Sequence, residues 1–166
     1  MARREGVVHE SELEWDDTAH GERFAHRRKQ LGKAAGGREI GCSLYEIPPG
    51  KRPFPYHFHT ANEEAMYVLS GSATLRIADR ELQVRAGDYV AFPVGRAGAH
   101  QVINDNDQPL RILMLSTMLE PEISVYPDSK KIGVFAGSAP GGDPTVRTVF
   151  AFLPDAAKVD YWHGED

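Results

Sequence analysis

The residue types best suited to chemistry in this sequence are two histidines and a glutamate that lie close together in the chain. His57 and His59 are separated by one residue, so both imidazoles share a face if this segment is a β-strand. Glu64 opens the next apolar segment, 65–69, and a hairpin would bring its carboxylate beside the histidines. Because divalent first-row metals prefer imidazole and carboxylate ligands, the spacing predicts part of a metal site.

Glu63 is the competing carboxylate in the same segment. Strand parity counted back from the turn at Ser70 and Gly71 places Glu64 on the inward face and Glu63 in solvent. A shift of one residue would exchange these two roles. The register of this strand is therefore part of the prediction.

Two blocks of spaced residues resemble the two sequence motifs of the cupin superfamily. The first block comprises Gly50, His57, His59, Glu64 and Gly71, separated by six, one, four and six residues. The second block comprises Gly87, Pro93, Gly95, His100 and Asn104, separated by five, one, four and three residues. Two matched blocks in the same order are much more specific than either block alone.

The resemblance spans residues 40–118 and makes the chain similar to single-domain cupins. Segments 120–134 and 159–162 resemble those of an uncharacterised bacterial and archaeal branch. The family implies an all-β fold, a cupin-type antiparallel β-barrel or jelly roll, and one divalent transition metal, Mn, Fe, Ni, Co or Zn. It also implies the metal ligands, which are His57, His59, Glu64 and His100.

Short apolar segments that alternate with turn residues must position these ligands, and they favour a sandwich or barrel. Pro53 and Pro55 remove backbone donors ahead of the histidines, so this approach is expected to be an edge or a bulge. Besides the two ligand-bearing segments, the expected core strands are 40–47, 73–77, 81–84, 89–92, 100–103 and 111–117.

We expect three regions around one core. Residues 1–36 form an N-terminal arm that packs on the barrel, residues 37–118 form the cupin barrel with its metal site, and residues 119–166 form a C-terminal extension that covers the barrel. Within the arm, the basic segment 22–33 is interpreted as a solvated charge run. Within the extension, the stretch 146–153 is expected to be a further strand or a covering segment.

Residues on the same faces as the ligands are predicted to line a small-molecule pocket. Met66 and Val68 follow Glu64 on its face, and Val102 follows His100. Tyr56 and Gln101 could orient a ligand from the rim, although a plain core role for Met66 and a solvated loop for the rim pair stay open. Phe58 and Tyr67 have the opposite parity and are expected on the outer face or between subunits.

Length, charge and cysteine content exclude several classes of protein. The 166 residues suit one domain, and the net charge of −5 argues against a nucleic-acid or anionic-membrane partner. The N-terminus lacks the apolar core of a secretory signal, and no apolar stretch approaches the length of a membrane-spanning helix. Cys42 is the single cysteine, so the sequence excludes an internal disulfide and does not suit a structural zinc site. We expect a cytoplasmic protein.

The metal site leaves two hypotheses about function. The first is a metal-dependent enzyme that acts on a small polar metabolite, a sugar derivative or small organic acid, as an isomerase, decarboxylase or dioxygenase. The second is a non-catalytic cupin that binds a metal or a small ligand. No titratable group at a fixed spacing identifies a general acid or base, so catalytic residues stay unassigned. Surplus apolar residues, such as Phe54 and the segment 146–152, predict a homodimer.

Overall fold

A computed structural model describes residues 5–165 of the chain, so residues 1–4 of the expected arm and residue 166 lie outside it. No helix in the described range is long and apolar enough to cross a membrane. The described chain has one short α-helix, α1 (Leu31–Ala34), three 3₁₀ turns (Glu10–Glu12, Arg96–Gly98 and Pro144–Val146) and thirteen strands. The strands are numbered here in chain order: β1 Asp16–His20, β2 Phe24–Gln30, β3 Ile40–Ile47, β4 Phe58–His59, β5 Glu64–Ser70, β6 Ser72–Ile77, β7 Arg80–Arg85, β8 Tyr89–Phe92, β9 His100–Ile103, β10 Leu110–Thr117, β11 Glu122–Tyr126, β12 Lys131–Ala136 and β13 Val149–Pro154.

The strands pair antiparallel throughout the named sheets. One sheet has six strands in the order β1-β2-β3-β10-β5-β8. A four-stranded sheet, β13-β12-β11-β4, meets a three-stranded sheet, β7-β6-β9, at an antiparallel bridge between His57 and His100. The two short sheets therefore adjoin where two candidate ligands exchange backbone hydrogen bonds, of 3.2 Å and 2.8 Å. This arrangement confirms the predicted all-β, cupin-type antiparallel fold.

The apolar core lies between the six-stranded and three-stranded sheets. Strand β3 begins and ends where the alternation of its residues predicts, and it buries Leu44 and Ile47 on opposite faces. Fully buried side chains from β5, β6 and β10 complete the core, because alternate residues of each strand point to one side. The same parity that fills the core fixes which side chains of β5 and β9 face the histidines.

The N-terminal segment adds two strands to the six-stranded sheet. Strand β2 pairs with β3, and β1 forms the outer edge. The basic segment is therefore a strand whose cations are largely paired: Arg28 contacts Asp16 at 2.8 Å, and Arg27 contacts Glu46 at 2.6 Å. Alternation of apolar residues is weak here, so the sequence pattern did not reveal these strands.

The C-terminal segment supplies most of the four-stranded sheet. Strand β11 pairs with β4, β12 pairs with β11, and β13 pairs with β12. This sheet explains why Phe58 is buried rather than on the outer face as its parity predicts: Val125 of β11 packs against its cluster. Tyr67 is 39% exposed and lies on the outer face, as expected.

Strand β13 is a free edge with exposed apolar side chains, and from it we expect a homodimer. Val149 and Leu153 are 49% and 45% exposed on this strand, and an unpaired apolar edge is a template for pairing with a second copy. Light scattering at micromolar concentration should give the mass of two chains. Leu153→Lys should shift the mass toward one chain, whereas Val159→Lys, outside the strand, should not. A single-chain mass for the unaltered protein would contradict the expectation.

Candidate metal centre

Three predicted imidazole ligands converge on a carboxylate oxygen of the fourth predicted ligand, Glu64. Glu64, the first residue of β5, directs Oε2 to within 3.2 Å of His59 Nε2, 3.4 Å of His100 Nε2 and 4.0 Å of His57 Nε2. His57 precedes β4, His59 ends it, and His100 begins β9. The donor atoms of His57, His59 and Glu64 all lie within 4.8 Å of one another.

Backbone carbonyls fix the orientation of two imidazoles. Nδ1 of His57 lies 2.9 Å from the Pro55 carbonyl oxygen, and Nδ1 of His100 lies 2.9 Å from that of Gly98. A carbonyl oxygen can only accept, so in the neutral imidazole each Nδ1 carries the proton and donates it. Each Nε2 is then left with a free lone pair that faces Glu64, which is the tautomer a metal requires.

The loop before β9 needs a glycine at position 98, whose carbonyl accepts the hydrogen bond from His100. Gly98 lies in a short turn, and a Cβ atom there would overlap the backbone carbonyl of Pro93. Any larger residue would push this turn apart, and the carbonyl that holds His100 would move with it.

His59 is oriented by two side chains from β11. Its Nδ1 lies 3.2 Å from Ser124 Oγ and 3.3 Å from Glu122 Oε1. Burial alone would lower the pKa of His59, but contacts with the carboxylates of Glu122 and Glu64 outweigh burial and raise this pKa to about 9. Nitrogen Nδ1 of His59 therefore keeps its proton, and Nε2 faces the centre.

Glu122 is fully buried and fixes the loop between the two ligand strands. Its carboxylate accepts backbone hydrogen bonds from Thr60, Ala61 and Asn62 at 2.9, 3.1 and 2.9 Å. The Asn62 side-chain amide donates a fourth, at 2.6 Å. Burial would raise the pKa of Glu122, but His59 and these backbone donors lower it. The ionised Glu122 side chain thus fixes the conformation of the loop that connects His59 to Glu64.

The pKa shifts of the other three candidate ligands give one anionic and two neutral donors. Burial would raise the pKa of Glu64, yet the contact with His59 and the charges of the other imidazoles lower it to about 2. Burial and the neighbouring His100 lower the pKa of His57 to about 3, and burial lowers that of His100. Glu64 is therefore anionic and these two imidazoles are neutral near pH 7.

Unpaired buried atoms show that the donor set suits a metal. Nε2 of His59, Nε2 of His100 and Oε2 of Glu64 are buried without a hydrogen-bond partner. The contact of 3.2 Å between His59 and Glu64 lacks hydrogen-bond geometry. Buried polar atoms without partners are costly, and a divalent cation would satisfy all of them at once. Nitrogen and oxygen ligands fit a first-row transition metal.

The predicted pocket residues are buried near the site. Met66, Val68 and Val102 belong to the apolar core and are at most 3% exposed. Tyr56 donates its hydroxyl hydrogen bond to the Ala78 carbonyl, and Gln101 donates to that of Phe54. Cavities of about 480 and 370 Å³ lie beside β2 and β7, away from the ligands. A substrate-lining role for these five residues stays a prediction.

Three functional side chains from β11 escaped the sequence analysis. Glu122 and Ser124 contact His59, and the Tyr126 ring stacks on His57 with centroids 5.7 Å apart and planes at 18°. Burial raises the pKa of Tyr126 to about 12, so its hydroxyl is neutral. In the sequence these three residues alternate with Ile123 and Val125. Such alternation is typical of a strand with one polar face, and it is the signal that could have identified them.

The fold and the donor cluster define a small antiparallel β protein with one candidate mononuclear metal centre. A family model described as the cupin domain matches residues 43–116, which include all four candidate ligands. Residues 43–116 of the chain therefore form a cupin domain. No curated protein sequence matches it significantly.

Solved structures of similar proteins cover nearly the whole chain. A provisionally named sugar phosphate isomerase from Acidithiobacillus ferrooxidans has 27% identity and a TM-score of 0.79, covering 94% of this chain and 96% of that one. A sugar phosphate isomerase of the cupin superfamily from Silicibacter pomeroyi has 23% identity and a TM-score of 0.77, covering 93% and 97%. The second similarity supports the fold alone.

Exchanging each of the two adjacent glutamates tests the ligand set. Glu64→Gln nearly preserves volume but removes the anionic donor, so metal affinity should fall by more than the roughly 10- to 100-fold typical of residues that only orient a ligand. Glu63→Gln should retain full metal, because the Glu63 side chain is exposed. Elemental analysis of purified protein measures both. Full metal in Glu64→Gln with loss in Glu63→Gln would show that Glu63 is the ligand.

Metal binding should release close to one proton per chain at pH 7. With a pKa of about 9, His59 is protonated at that pH and must lose a proton to ligate, whereas the other imidazoles are neutral and Glu64 is ionised. Affinity should therefore rise from pH 7 toward pH 9 and fall on acidification. Titration calorimetry in buffers of different ionisation enthalpy counts the protons. Heats that do not depend on the buffer would contradict this expectation.

Proposed function

We propose that the chain is a metal-binding enzyme in which His57, His59, Glu64 and His100 hold one divalent transition metal and a small polar metabolite reacts there. The observation that carries the proposal is the set of unpaired buried donor atoms that meet around Glu64 Oε2. These atoms have no hydrogen-bond partner within the described residues, and a bound metal would take a lone pair from each of them once the His59 imidazolium has lost a proton.

Neighbouring carbonyls and side chains of the protein hold the candidate metal ligands in orientation. A bound divalent metal would supply Lewis-acid polarisation of a substrate oxygen. Glu64 contributes the negative charge, and the carbonyls of Pro55 and Gly98 keep two imidazoles in the required tautomer. Glu122 and Ser124 keep the third imidazole in place. Rigid support of this kind keeps ligands in position between catalytic cycles.

Similarity over the full chain favours a sugar derivative as substrate. The provisionally named sugar phosphate isomerase of Acidithiobacillus ferrooxidans covers the N-terminal strands and the C-terminal sheet as well as the barrel. We therefore place isomerisation of a small sugar derivative ahead of decarboxylation or dioxygenation of a small organic acid. A cytoplasmic location and a homodimeric state complete the proposal.

A non-catalytic metal or small-ligand binding cupin is the second candidate. The observation that favours it is the burial of the centre, since each of the three histidines is at most 8% exposed. A metal held among ligands of such low exposure suits storage or sensing better than rapid turnover.

Turnover under controlled metal loading distinguishes the two functions. An enzyme should convert one member of a panel of sugar derivatives and small organic acids. Removal of metal with a chelator should abolish product, and readdition should restore it. The control is a circular dichroism spectrum that shows an intact fold in the chelated protein. Saturable binding without product for every metal form would reject the enzyme and leave the binder.

A further inference from the structure

On one face of the four-stranded sheet, a row of paired residues runs across the strands from the candidate ligand His59 on β4 to β13. His59 pairs with Ser124, Ser124 pairs with Gly133, and Gly133 pairs with Phe152. Paired residues of neighbouring strands point to the same face and lie about 5 Å apart. The sheet therefore carries one surface from a candidate ligand on β4 to an exposed aromatic on β13.

Lys131 lies in the next row of this face, directly opposite Tyr126. Its Nζ is 5.1 Å from the ring centroid of Tyr126 and 5.5 Å from that of Phe152. Tyr126 in turn stacks on His57. A single aromatic ring thus contacts both a candidate metal ligand and this cation.

Lys131 takes part in no ion pair within the described residues. The ion pairs of the described residues engage other cations, such as Arg76 with Asp128 and Arg111 with Glu10, and none includes Lys131. Its contacts within the described chain are with aromatic faces, which attract a cation without neutralising it. The side chain is partly buried, so an anion that reached it would be only partly screened by water.

Gly133 leaves this part of the face flat. A Cβ atom at Gly133 would lie 2.8 Å from Cε1 of Phe152, so only glycine lets that ring rest on the sheet. Phe152 is nevertheless 49% exposed. The surface beside Lys131 is therefore a level aromatic platform open to solvent.

From this geometry we propose that Lys131 binds the anionic group of the substrate, while the opposite end of the same molecule reaches the centre formed by His57, His59, Glu64 and His100. The ligand is then a small bifunctional molecule with oxygen donors at one end and a phosphate or carboxylate at the other. Its carbon chain lies along Tyr126 and the platform formed by Phe152. This inference rests on the proposed function, because it needs the metal end of the ligand to be held.

Matched probes test the role of Lys131. Full-length protein loaded with Mn²⁺, with metal content verified, is titrated with glycolate, with 2-phosphoglycolate and with malonate. All three offer a carboxylate to the metal, and the last two add a second anionic group. We expect the unaltered protein to bind at least one of the last two roughly tenfold or more tightly than glycolate. Preference for 2-phosphoglycolate identifies a phosphate ligand, and preference for malonate a carboxylate.

Variants assign the difference to one side chain. Lys131→Met keeps the apolar stem and removes the charge, so it should lose the tenfold advantage while glycolate affinity and metal content stay unchanged. Lys131→Arg should retain most of the advantage. The control is Lys130→Met, which removes one charge from the exposed neighbouring turn and should change nothing.

Two results would overturn the inference. Equal binding of all three probes by the unaltered protein would remove the anion subsite, as would an equal loss in Lys131→Met and Lys130→Met. Either result would leave the metal centre standing. Metal-loaded protein that binds none of the probes would reject the proposed function together with this inference.

Discussion

The buried carboxylate of Glu122 is the interaction on which the metal centre depends. A charge without solvent is tolerated only when it is fully satisfied, and here four N–H groups and one imidazole surround it. Deleting one partner of a buried charge typically costs about 3–5 kcal/mol. The loop that separates His59 from Glu64 therefore has one strongly favoured conformation, and the distance between two ligands follows from it.

This dependence joins two parts of the chain that the sequence motifs treat separately. The ligands lie within the matched cupin domain, residues 43–116. The groups that orient them from β11 lie beyond it, as do Lys131 and the aromatic residues of β13. The barrel thus supplies the candidate metal ligands, and the C-terminal sheet supplies side chains that orient His59 and contact His57.

Much of the fold was predictable because apolar alternation reports burial directly. Strand β3 has the expected bounds, and β10 begins one residue before its expected start. The same alternation distinguished Glu64 from Glu63, since Met66 and Val68 are fully buried on the inward parity. Local periodicity is informative wherever one face of a strand packs on the core.

The parts that escaped prediction depend on distant partners. Strands β1 and β2 are rich in charge, and two of their cations, Arg28 and Arg27, pair with Asp16 and Glu46. Glu122 lies 62 residues from the backbone amide of Thr60, so no local pattern links the two. Phe58 has the parity of an outward residue, but a sheet formed much later in the chain covers it. Such contacts follow from topology, which a single sequence does not encode locally.

The order of the elements along the chain also has a consequence for biosynthesis. All four candidate ligands precede Glu122, Ser124 and Tyr126, so a growing polypeptide carries its donors before it carries the groups that orient His59. A nascent chain that ends before β11 would keep the carbonyls that orient His57 and His100, but it would lack the side chains that orient His59 and the carboxylate that fixes the loop before Glu64. Selective loading therefore belongs to the completed chain, in which β11 has paired with β4.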